Sequence, residues 1–359
     1  MGFNRRRFLW LAGLGLGGLS IARAWPKANS SSQNLISKTS RISKAPKGML
    51  APPVRGDVRI IVISDLNSQY GSTNYEVEVD RAIEMIPDWE GDLVLCGGDM
   101  VAAQKTSLSD SNVKNMWQGF DHHIAEPLRR AKIPLGFTIG NHDASGTRLG
   151  DKVLLFARDR DLASQYWQTH DPGLAFIDRG GFPFYYTFGQ NDVFYLVWDA
   201  SCDKIPSEQL AWAEQSLSSL EAKKARLRLV IGHLPLYGIT KGRDNPGNYL
   251  ANADQLQALL ERCDVHTYIS GHDHAYFPAK LGKLELLYTG ALGAGPRKLI
   301  EVSLAPYKTL TVVDVDLSNS STIYTTYNMT HLTLVDINTL PRQINSPTRT
   351  ILRRDIPSV

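Results

Sequence analysis

The sequence has little cysteine and no long hydrophobic run. Three cysteines in 359 residues exclude a small scaffold held together by disulfide bonds. The apolar stretch Phe8–Ala22 has about 15 residues, fewer than the roughly 20 that a membrane-spanning helix needs, so a multi-span membrane protein is excluded. Hydrophobic residues make up 43% and charged residues 21% of the chain. This composition and length allow a large buried core and exclude a disordered or collagen-like protein.

Acidic residues are missing from the first 56 positions. Ten of the 39 Lys and Arg residues lie there, so residues 57–359 hold 29 cations against all 36 acids, a formal charge of −7. A mildly acidic folded part does not carry the positive patch that nucleic-acid binding requires, and no such binding is indicated. The basic stretch 25–56 is rich in Ser, Lys and Pro, and it fits a flexible linker better than a segment bound to anionic lipid.

The first 24 residues are predicted to form a signal peptide. Asn4–Leu9, with the sequence NRRRFL, resembles the twin-arginine export motif, and Ala22-Arg23-Ala24 offers a cleavage site after the apolar run. No cysteine follows that run, so a lipoprotein anchor is not indicated. The resemblance implies transport by the twin-arginine export machinery, which carries folded and often cofactor-loaded proteins. We therefore expect an exported protein (periplasmic, extracellular or in a compartment like the thylakoid lumen) without a stable membrane anchor after cleavage. An uncleaved N-terminal anchor is the alternative.

From Asp57 onward, short apolar runs alternate with amphipathic stretches, a pattern that predicts an α/β fold. Five of the predicted strands are Val58–Ile63, Leu93–Cys96, Leu135–Ile139, Leu227–Ile231 and Val265–Ile269. The predicted helices are Glu76–Met85, Val113–Ala131, Ser207–Leu220 and Ala253–Cys263. Further strands are expected at Phe194–Trp198, Leu284–Tyr288, Thr309–Val315 and Thr322–Tyr327.

Each of the five strands Val58–Ile63, Leu93–Cys96, Leu135–Ile139, Leu227–Ile231 and Val265–Ile269 is followed by a side chain that can bind a metal ion, usually beside a glycine. A single Asp at a strand end is commonly a turn or cap residue, whereas five strand ends with Asp, Asn or His in series indicate a shared site. Ligands of open α/β sheets bind at the carboxyl ends of the strands. Asp, Asn and His without Cys suit ions such as Mn, Fe or Zn. The pattern therefore predicts a metal site at one edge of the sheet.

The segments after these strands are Asp65-Leu66-Asn67, Gly98-Asp99, Gly140-Asn141-His142-Asp143, Gly232-His233 and Gly271-His272-Asp273-His274. In order and context, they resemble the motifs of the calcineurin-like metallophosphoesterase family. The resemblance implies an αββα sandwich of two mixed β-sheets flanked by helices, with a two-metal site at one edge. We assign the metallophosphoesterase domain to residues 57–316, and we expect the C-terminal extension 317–359 to supply extra strands and a tail.

The resemblance also implies a role for each motif residue. It assigns metal one to Asp65, Asp99 and His274, and metal two to Asp99, Asn141, His233 and His272. A hydroxide bridging the two ions would attack the phosphorus of a small phosphoester in line. His142 would donate a proton or a hydrogen bond to the leaving oxygen. Asp143 is its neighbour in the candidate catalytic pair, and a capping or orienting role is favoured for it over direct catalysis.

Two positions depart from the patterns of the family. Asn67 stands where a histidine ligand is usual, so either its amide oxygen binds metal one more weakly or water fills the position. Ala102 stands where purple acid phosphatases place a tyrosine, and Met100–Ala103 replaces the acidic, arginine-bearing signature of phosphoprotein phosphatases. Protein dephosphorylation is therefore not favoured, and a smaller or more exposed phosphoester is expected.

Substrate contacts are less well defined by the sequence. Arg297 ends the glycine-rich segment Gly290–Arg297, whose backbone N–H groups could approach a phosphate while the arginine clamps it; a flexible connection with a surface arginine is the alternative. Tyr70 is a candidate for stacking on the leaving group or for packing. The functions left open are hydrolysis of phosphomono- or phosphodiesters, cyclic-nucleotide phosphodiesterase or nucleotide pyrophosphatase activity at the same centre, and binding of metal or phosphate without catalysis.

Overall fold

A computed structural model describes residues 50–150, 153–293 and 295–357. The predicted signal peptide 1–24 and most of the predicted linker 25–56 lie outside these residues. Within the described ranges, none of the helices has the length and apolar character needed to cross a membrane.

Two large sheets form the centre of the fold. The six-stranded sheet runs β15-β14-β13-β1-β2-β3. Its strands are β1 (Val58–Ile63), β2 (Leu93–Cys96), β3 (Leu135–Phe137), β13 (Thr309–Asp316), β14 (Ser321–Asn328) and β15 (Thr333–Leu334). Strands β1, β2 and β3 are parallel, and β13 pairs with β1 in the antiparallel sense. The sheet is therefore mixed, and its three parallel strands end at the same edge.

The nine-stranded sheet runs β16-β17-β11-β12-β10-β9-β8-β7-β6. Its strands are β6 (Phe176–Gly181), β7 (Tyr185–Gln190), β8 (Val193–Val197), β9 (Leu227–Ile231), β10 (Thr267–Ser270), β11 (Tyr276–Leu281), β12 (Leu284–Thr289), β16 (Gln343–Asn345) and β17 (Thr350–Arg353). Strands β8, β9, β10 and β12 are parallel. A separate short hairpin is formed by β4 (Arg148–Leu149) and β5 (Val153–Leu154). The C-terminal residues 317–357 thus add strands to both sheets.

Helices cover the outer faces of the sheets. They are α1 (Val77–Met85), α2 (Asp110–Phe120), α3 (Glu126–Arg130), α4 (Asn141–Ala144), α5 (Ala157–Thr169), α6 (Ser207–Leu217), α7 (Leu220–Lys224) and α8 (Ala253–Arg262). Short 3-10 turns occur at Ile86–Trp89 and Ile337–Thr339, and a π-helical turn at Asp121–Ala125 joins α2 to α3.

The side chains of β1 show how the layers are arranged. Because successive side chains of a strand point to opposite faces, Ile60 and Val62 pack into the core shared by the two sheets, whereas Ile61 and Ile63 pack beneath helices α1, α2 and α5. Helices α6 and α8 contribute to the outer side of the nine-stranded sheet through residues such as Leu217 and Leu260. The expected α/β fold with two mixed sheets flanked by helices is confirmed.

Candidate metal centre

The motif residues meet where parallel strands of both sheets end. Asp65, Asp99 and Asn141 follow β1, β2 and β3, whereas His233 and His272 follow β9 and β10. Backbone hydrogen bonds tie the loops together across the sheets, for example from the N–H of Gly293, after β12, to the carbonyl of Asp65, after β1, at 2.8 Å. The ligand candidates from distant parts of the chain are therefore held at one edge of the sandwich.

The first group of converging atoms belongs to Asp65, Asp99 and His274, whose ligand atoms lie within 4.8 Å of one another. His274 Nε2 is 3.1 Å from Asp65 Oδ1. Its other ring nitrogen, Nδ1, is 2.8 Å from the carbonyl oxygen of Gly295. If Nδ1 donates there, the lone pair of Nε2 faces the carboxylates, as a metal ligand requires. Ser64 Oγ, which donates to Asp65 Oδ2 at 2.7 Å, orients the aspartate.

The second group consists of Asp99, Asn141, His233 and His272. Asn141 Oδ1 is 2.9 Å from both His233 Nε2 and His272 Nδ1. His233 Nε2 is also 3.3 Å from Asp99 Oδ2, and His233 Nδ1 lies 2.8 Å from the carbonyl oxygen of Gly97, to which it can donate. With that tautomer, the lone pairs of His233 Nε2, Asn141 Oδ1 and Asp99 Oδ2 converge, an arrangement that a cation stabilises. Without a metal ion a proton on His233 takes this place, in keeping with the raised pKa of this histidine.

The electrostatics of Asp99 connect the two groups. Its carboxylate is fully buried, and Oδ2 has no hydrogen-bond partner among the described residues. Burial alone would raise the pKa of Asp99, but His233 and His142 outweigh it and hold the pKa well below its usual range. Burial lowers the pKa of His233, whereas Asp99 raises it more strongly, to about 9. The unpartnered Asp99 Oδ2 and the all-oxygen-and-nitrogen donor set fit two shared cations of the Mn, Fe or Zn class.

Backbone conformation at the ligands is unusual. Asp65, Asp99, His272 and His274 have φ values of 51°, 54°, 64° and 53°, in the left-handed region that non-glycine residues rarely occupy. Such strain clusters at functional sites, where the surrounding structure enforces it. Gly140 permits the close approach of the Asn141 loop, because a Cβ there would lie 2.1 Å from Asp99 Oδ1.

Asn67 is buried beside the first group. Its amide nitrogen lies 3.4 Å from the carbonyl oxygen of Val101, and its backbone N–H donates to the carbonyl of Asp99 at 3.1 Å. These contacts hold the side chain by its amino group. Its role as a weak ligand of metal one stays a prediction.

The backbone of His142 lies beside Asp99, and its side chain is more exposed to solvent than that of Asp99. Its backbone N–H donates to Asp99 Oδ1 at 2.8 Å, and its Nε2 lies 4.0 Å from Asp99 Oδ2. Its ring lies 5.2 Å from the ring of Tyr70, between centroids. Burial lowers the pKa of His142, and Asp99 only partly offsets this effect. The neutral imidazole keeps one N–H, with which it can donate a hydrogen bond to a leaving oxygen.

Asp143 does not face the metal groups in the way that a catalytic residue would. Its Oδ1 accepts the N–H of Val101 and its Oδ2 accepts the N–H of Gly140, both at 2.8 Å. The carboxylate is fully buried. Asp143 thus joins the loop after β2 to the loop after β3, which is the capping and orienting role favoured from the sequence.

Two residues of the site, Gln104 and Arg243, lie outside the sequence motifs and were not predicted. Gln104 Oε1 accepts a hydrogen bond from Asn141 Nδ2 at 2.8 Å, which turns the amide oxygen of Asn141 toward the histidines. Arg243 Nη1 lies 2.6 and 2.5 Å from the two ring nitrogens of His272, and the arginine is 8% exposed. The loop that carries Arg243 is fastened by Asp273, which accepts the N–H of Ile239 at 2.8 Å.

The glycine-rich segment before Arg297 is built into the wall of the site. The N–H groups of Leu292 and Gly293 donate to the carbonyls of Ser64 and Asp65, at 2.9 and 2.8 Å. The expectation that such N–H groups would bind phosphate is wrong for these two residues, because their hydrogens are already used. Arg297 remains available, since its half-buried side chain has a buried Nε without a partner among the described residues. Burial and the nearby Arg243 lower its pKa.

Comparison with known proteins places the site in context. Residues 58–276, more than half of the chain, match the family model described as calcineurin-like phosphoesterase. Mouse (Mus musculus) serine/threonine-protein phosphatase CPPED1 is 25% identical over 170 residues, which are 45% of this chain and 48% of that protein. The chain thus matches about half the length of this curated relative.

A solved structure shares the fold. The purple acid phosphatase PPD1 from yellow lupin (Lupinus luteus) seeds superposes with a TM-score of 0.58 at 17% sequence identity, covering 80% of this chain and 54% of that chain. At this identity the likeness concerns the arrangement of the sheets and helices.

Proposed function

The chain belongs to the calcineurin-like phosphoesterase family, and from this premise we propose that it hydrolyses small phosphomono- or phosphodiesters at a two-metal centre. The observation that carries the proposal is the buried Asp99 carboxylate, which belongs to both ligand groups and whose Oδ2 accepts no hydrogen bond although it lies 3.3 Å from His233 Nε2. A structural carboxylate at this depth would normally be satisfied by hydrogen bonds.

The residues present fit two cations. Asp65, Asp99 and His274 would hold the first, with Asn67 as a weaker neutral candidate, and Asp99, Asn141, His233 and His272 would hold the second. Mn, Fe and Zn all suit this donor set, and the weak position of Asn67 favours Mn at the first site. When bound, the metal ions neutralise phosphoryl charge and lower the pKa of water, so that hydroxide is available as the nucleophile at neutral pH.

The side chains of the protein would position the ester. Arg243 lies against His272, and Arg297 lies beside His274 and near Arg243; both would offer positive charge to the phosphoryl oxygens. His142 would donate its N–H to the leaving oxygen from the Tyr70 side.

Export is proposed from the N-terminal sequence. The NRRRFL motif and the small residues at Ala22 and Ala24 support recognition by the twin-arginine machinery and cleavage before Trp25. A fusion of residues 1–30 to a reporter that works only after export tests this. We expect Arg5→Lys combined with Arg6→Lys and Arg7→Lys to abolish export, and unchanged export of that variant would contradict the proposal.

Hydrolysis is tested on the full chain after its metals are stripped and Mn is restored. We expect Mn-dependent cleavage of a mono-aryl or a bis-aryl phosphate, and loss of most turnover in Asp99→Asn. The exposed His331 offers a matched control, because His331→Ala should leave activity unchanged whereas His274→Ala should remove most of it. Faster cleavage of the diester favours a phosphodiesterase, and faster cleavage of the monoester a phosphatase. Bound metal without turnover of either ester would favour the non-catalytic alternative.

A further inference from the structure

A cleft opens beside the metal centre on the side of His142. Its volume is about 410 Å³, and it is lined by Ser68, Gln69, Tyr70, Ala102, Lys105 and His142. Because His142 is the residue that would donate to the leaving oxygen under the proposed function, the group that departs with this oxygen would enter this cleft. A volume of this order is typical of sites that hold small organic molecules.

Tyr70 supplies the apolar wall of the cleft. Its side chain is 49% exposed, and its ring is inclined by 50° to the ring of His142. An exposed aromatic ring at the mouth of a polar site offers a face on which a planar group can stack. Ala102, which also lines the cleft, is small, so it leaves room for such a group.

Lys105 supplies positive charge to the same cleft. Its Nζ lies 5.9 Å from the centre of the Tyr70 ring. Among the described residues, no carboxylate lies within ion-pair distance of this ammonium group, and the side chain is exposed. Ser68 Oγ, in contrast, already donates to the carbonyl oxygen of Asn74 at 3.0 Å. Tyr70 and Lys105 are thus both free to bind a ligand in the cleft.

We propose that the cleft binds the leaving group of the substrate and selects a planar ring that carries a negative charge. The ring stacks on Tyr70, and the flexible ammonium group of Lys105 pairs with the anion. This inference rests on the proposed function, and it narrows the substrate to esters whose leaving group is an anionic aryl alcohol or a nucleotide. Both leaving groups have the planar ring and the negative charge that the cleft would recognise.

The charge requirement is tested with two aryl phosphates that have the same type of scissile bond and differ only in the charge of the ring substituent. They are 3-carboxyphenyl phosphate and its neutral analogue 3-carbamoylphenyl phosphate. We expect Lys105→Met to lower kcat/KM for the carboxylate about threefold, as for an exposed ion pair, and to leave the carboxamide unchanged. Lys114→Met on the surface of α2 is the matched control and should change neither. Equal effects of Lys105→Met on both esters would overturn the role of Lys105.

The ring requirement is tested by comparing each variant with the wild type on the same ester, because intrinsic reactivity then cancels. We expect Tyr70→Leu to lower kcat/KM about tenfold for the aryl esters and not for methyl phosphate. Tyr70→Phe keeps the aromatic ring and should therefore hydrolyse the aryl esters as efficiently as the wild type. An equal loss on methyl phosphate, or no loss on the aryl esters, would overturn the stacking role.

A further substrate separates the two sources of the ring. Diadenosine pyrophosphate releases AMP, so a larger Tyr70→Leu effect on it than on the aryl phosphates identifies a nucleotide leaving group, and the reverse identifies an aryl alcohol. If the wild type turns over none of these esters, the proposed hydrolysis fails, but the cleft is still tested by ligand-observed NMR on the metal-free full chain. Binding of 3-hydroxybenzoate that needs both Tyr70 and Lys105 supports the cleft, and binding that needs neither overturns it.

Discussion

Gln104 is expected to control metal binding without touching the metal. Its Oε1 is the acceptor for Asn141 Nδ2, at 2.8 Å, and this bond turns Asn141 Oδ1 toward His233 and His272. In Gln104→Leu the amino group loses its acceptor, and the amide is free to turn its nitrogen toward the histidines. With Gln104 Oε1 as the acceptor, Asn141 Nδ2 points toward Gln104 and Asn141 Oδ1 points toward the histidines. A glutamate at position 104 can only accept, so it would fix this orientation.

The size of the effect follows from the hydrogen bond and its exposure. An unsatisfied buried amide costs about 1–3 kcal/mol, and groups that support a metal ligand typically change affinity 10–100-fold. Gln104 and Asn141 are only half-buried, so water can partly replace the lost acceptor, and we expect the lower end of this range, about tenfold. Gln104→Glu retains an acceptor and should bind the second metal at least as tightly as the wild type.

Calorimetric titration of the metal-stripped full chain with Mn measures the metal affinities of the wild type and of the two Gln104 variants. We expect Gln104→Leu to weaken one of two binding steps about tenfold and to leave the other within about twofold. If both variants weaken binding equally, the effect is steric and the orientation of Asn141 is not its cause. Wild-type binding by Gln104→Leu would refute the reasoning outright.

Three further predictions concern stability, measured by urea denaturation of the metal-free protein. Asp143→Asn replaces one of two acceptors of backbone N–H groups and should cost about 2 kcal/mol; an unchanged midpoint would show that the carboxylate does not join the loops. Arg59→Met breaks a fully buried ion pair with Asp314 and should lower the free energy of unfolding by about 3 kcal/mol. Arg55→Met breaks a partly exposed pair with Asp92 and should lower it by less than about 1 kcal/mol. Equal losses in the two variants would contradict this distinction. Burial lowers the pKa of His266 in the folded state, so the unfolded chain binds more protons near pH 6 and the wild type should lose stability as the pH falls below about 6.5. His266→Gln should lose less over that window, and parallel pH profiles would contradict the assignment.

Strands buried on both faces were the most predictable elements. The predicted bounds of Val58–Ile63, Leu93–Cys96 and Leu227–Ile231 match those of β1, β2 and β9, because each is a nearly continuous apolar run between polar residues. The predicted helix Val113–Ala131 is instead interrupted by the π-helical turn at Asp121–Ala125. Pro127 follows within two residues, and it has no N–H to continue the regular hydrogen-bond ladder.

Elements with a weak apolar pattern were not predicted individually, although residues 317–359 were expected to supply extra strands. Helix α5 (Ala157–Thr169) buries Leu162, Tyr166 and Trp167 but is otherwise polar, and the strands of the hairpin β6–β7 are partly exposed. The strands β16 and β17 are short; β16 pairs with β17, and β17 pairs with β11, which is distant in sequence. Their hydrophobic periodicity is too short to distinguish them from loops.

The site divides in the same way between local and tertiary signals. The ligand candidates could be named from the sequence because each stands in a short motif directly after a strand. Gln104 and Arg243 lie in loops without a motif, and their contacts with Asn141 and His272 exist only once the chain is folded. The orienting role of Asp143 was available from its position after Gly140, although its bond to Val101 was not.

The most direct test of the two-metal centre is the number of metal ions that the full chain binds. The stripped protein is equilibrated with Mn and the bound metal is determined by mass spectrometry alongside the titration. We predict two equivalents for the wild type, one for His274→Ala, and weakened binding at both sites for Asp99→Asn, because its carboxylate is shared. One equivalent in the wild type, or two undiminished equivalents in Asp99→Asn, would contradict the shared centre.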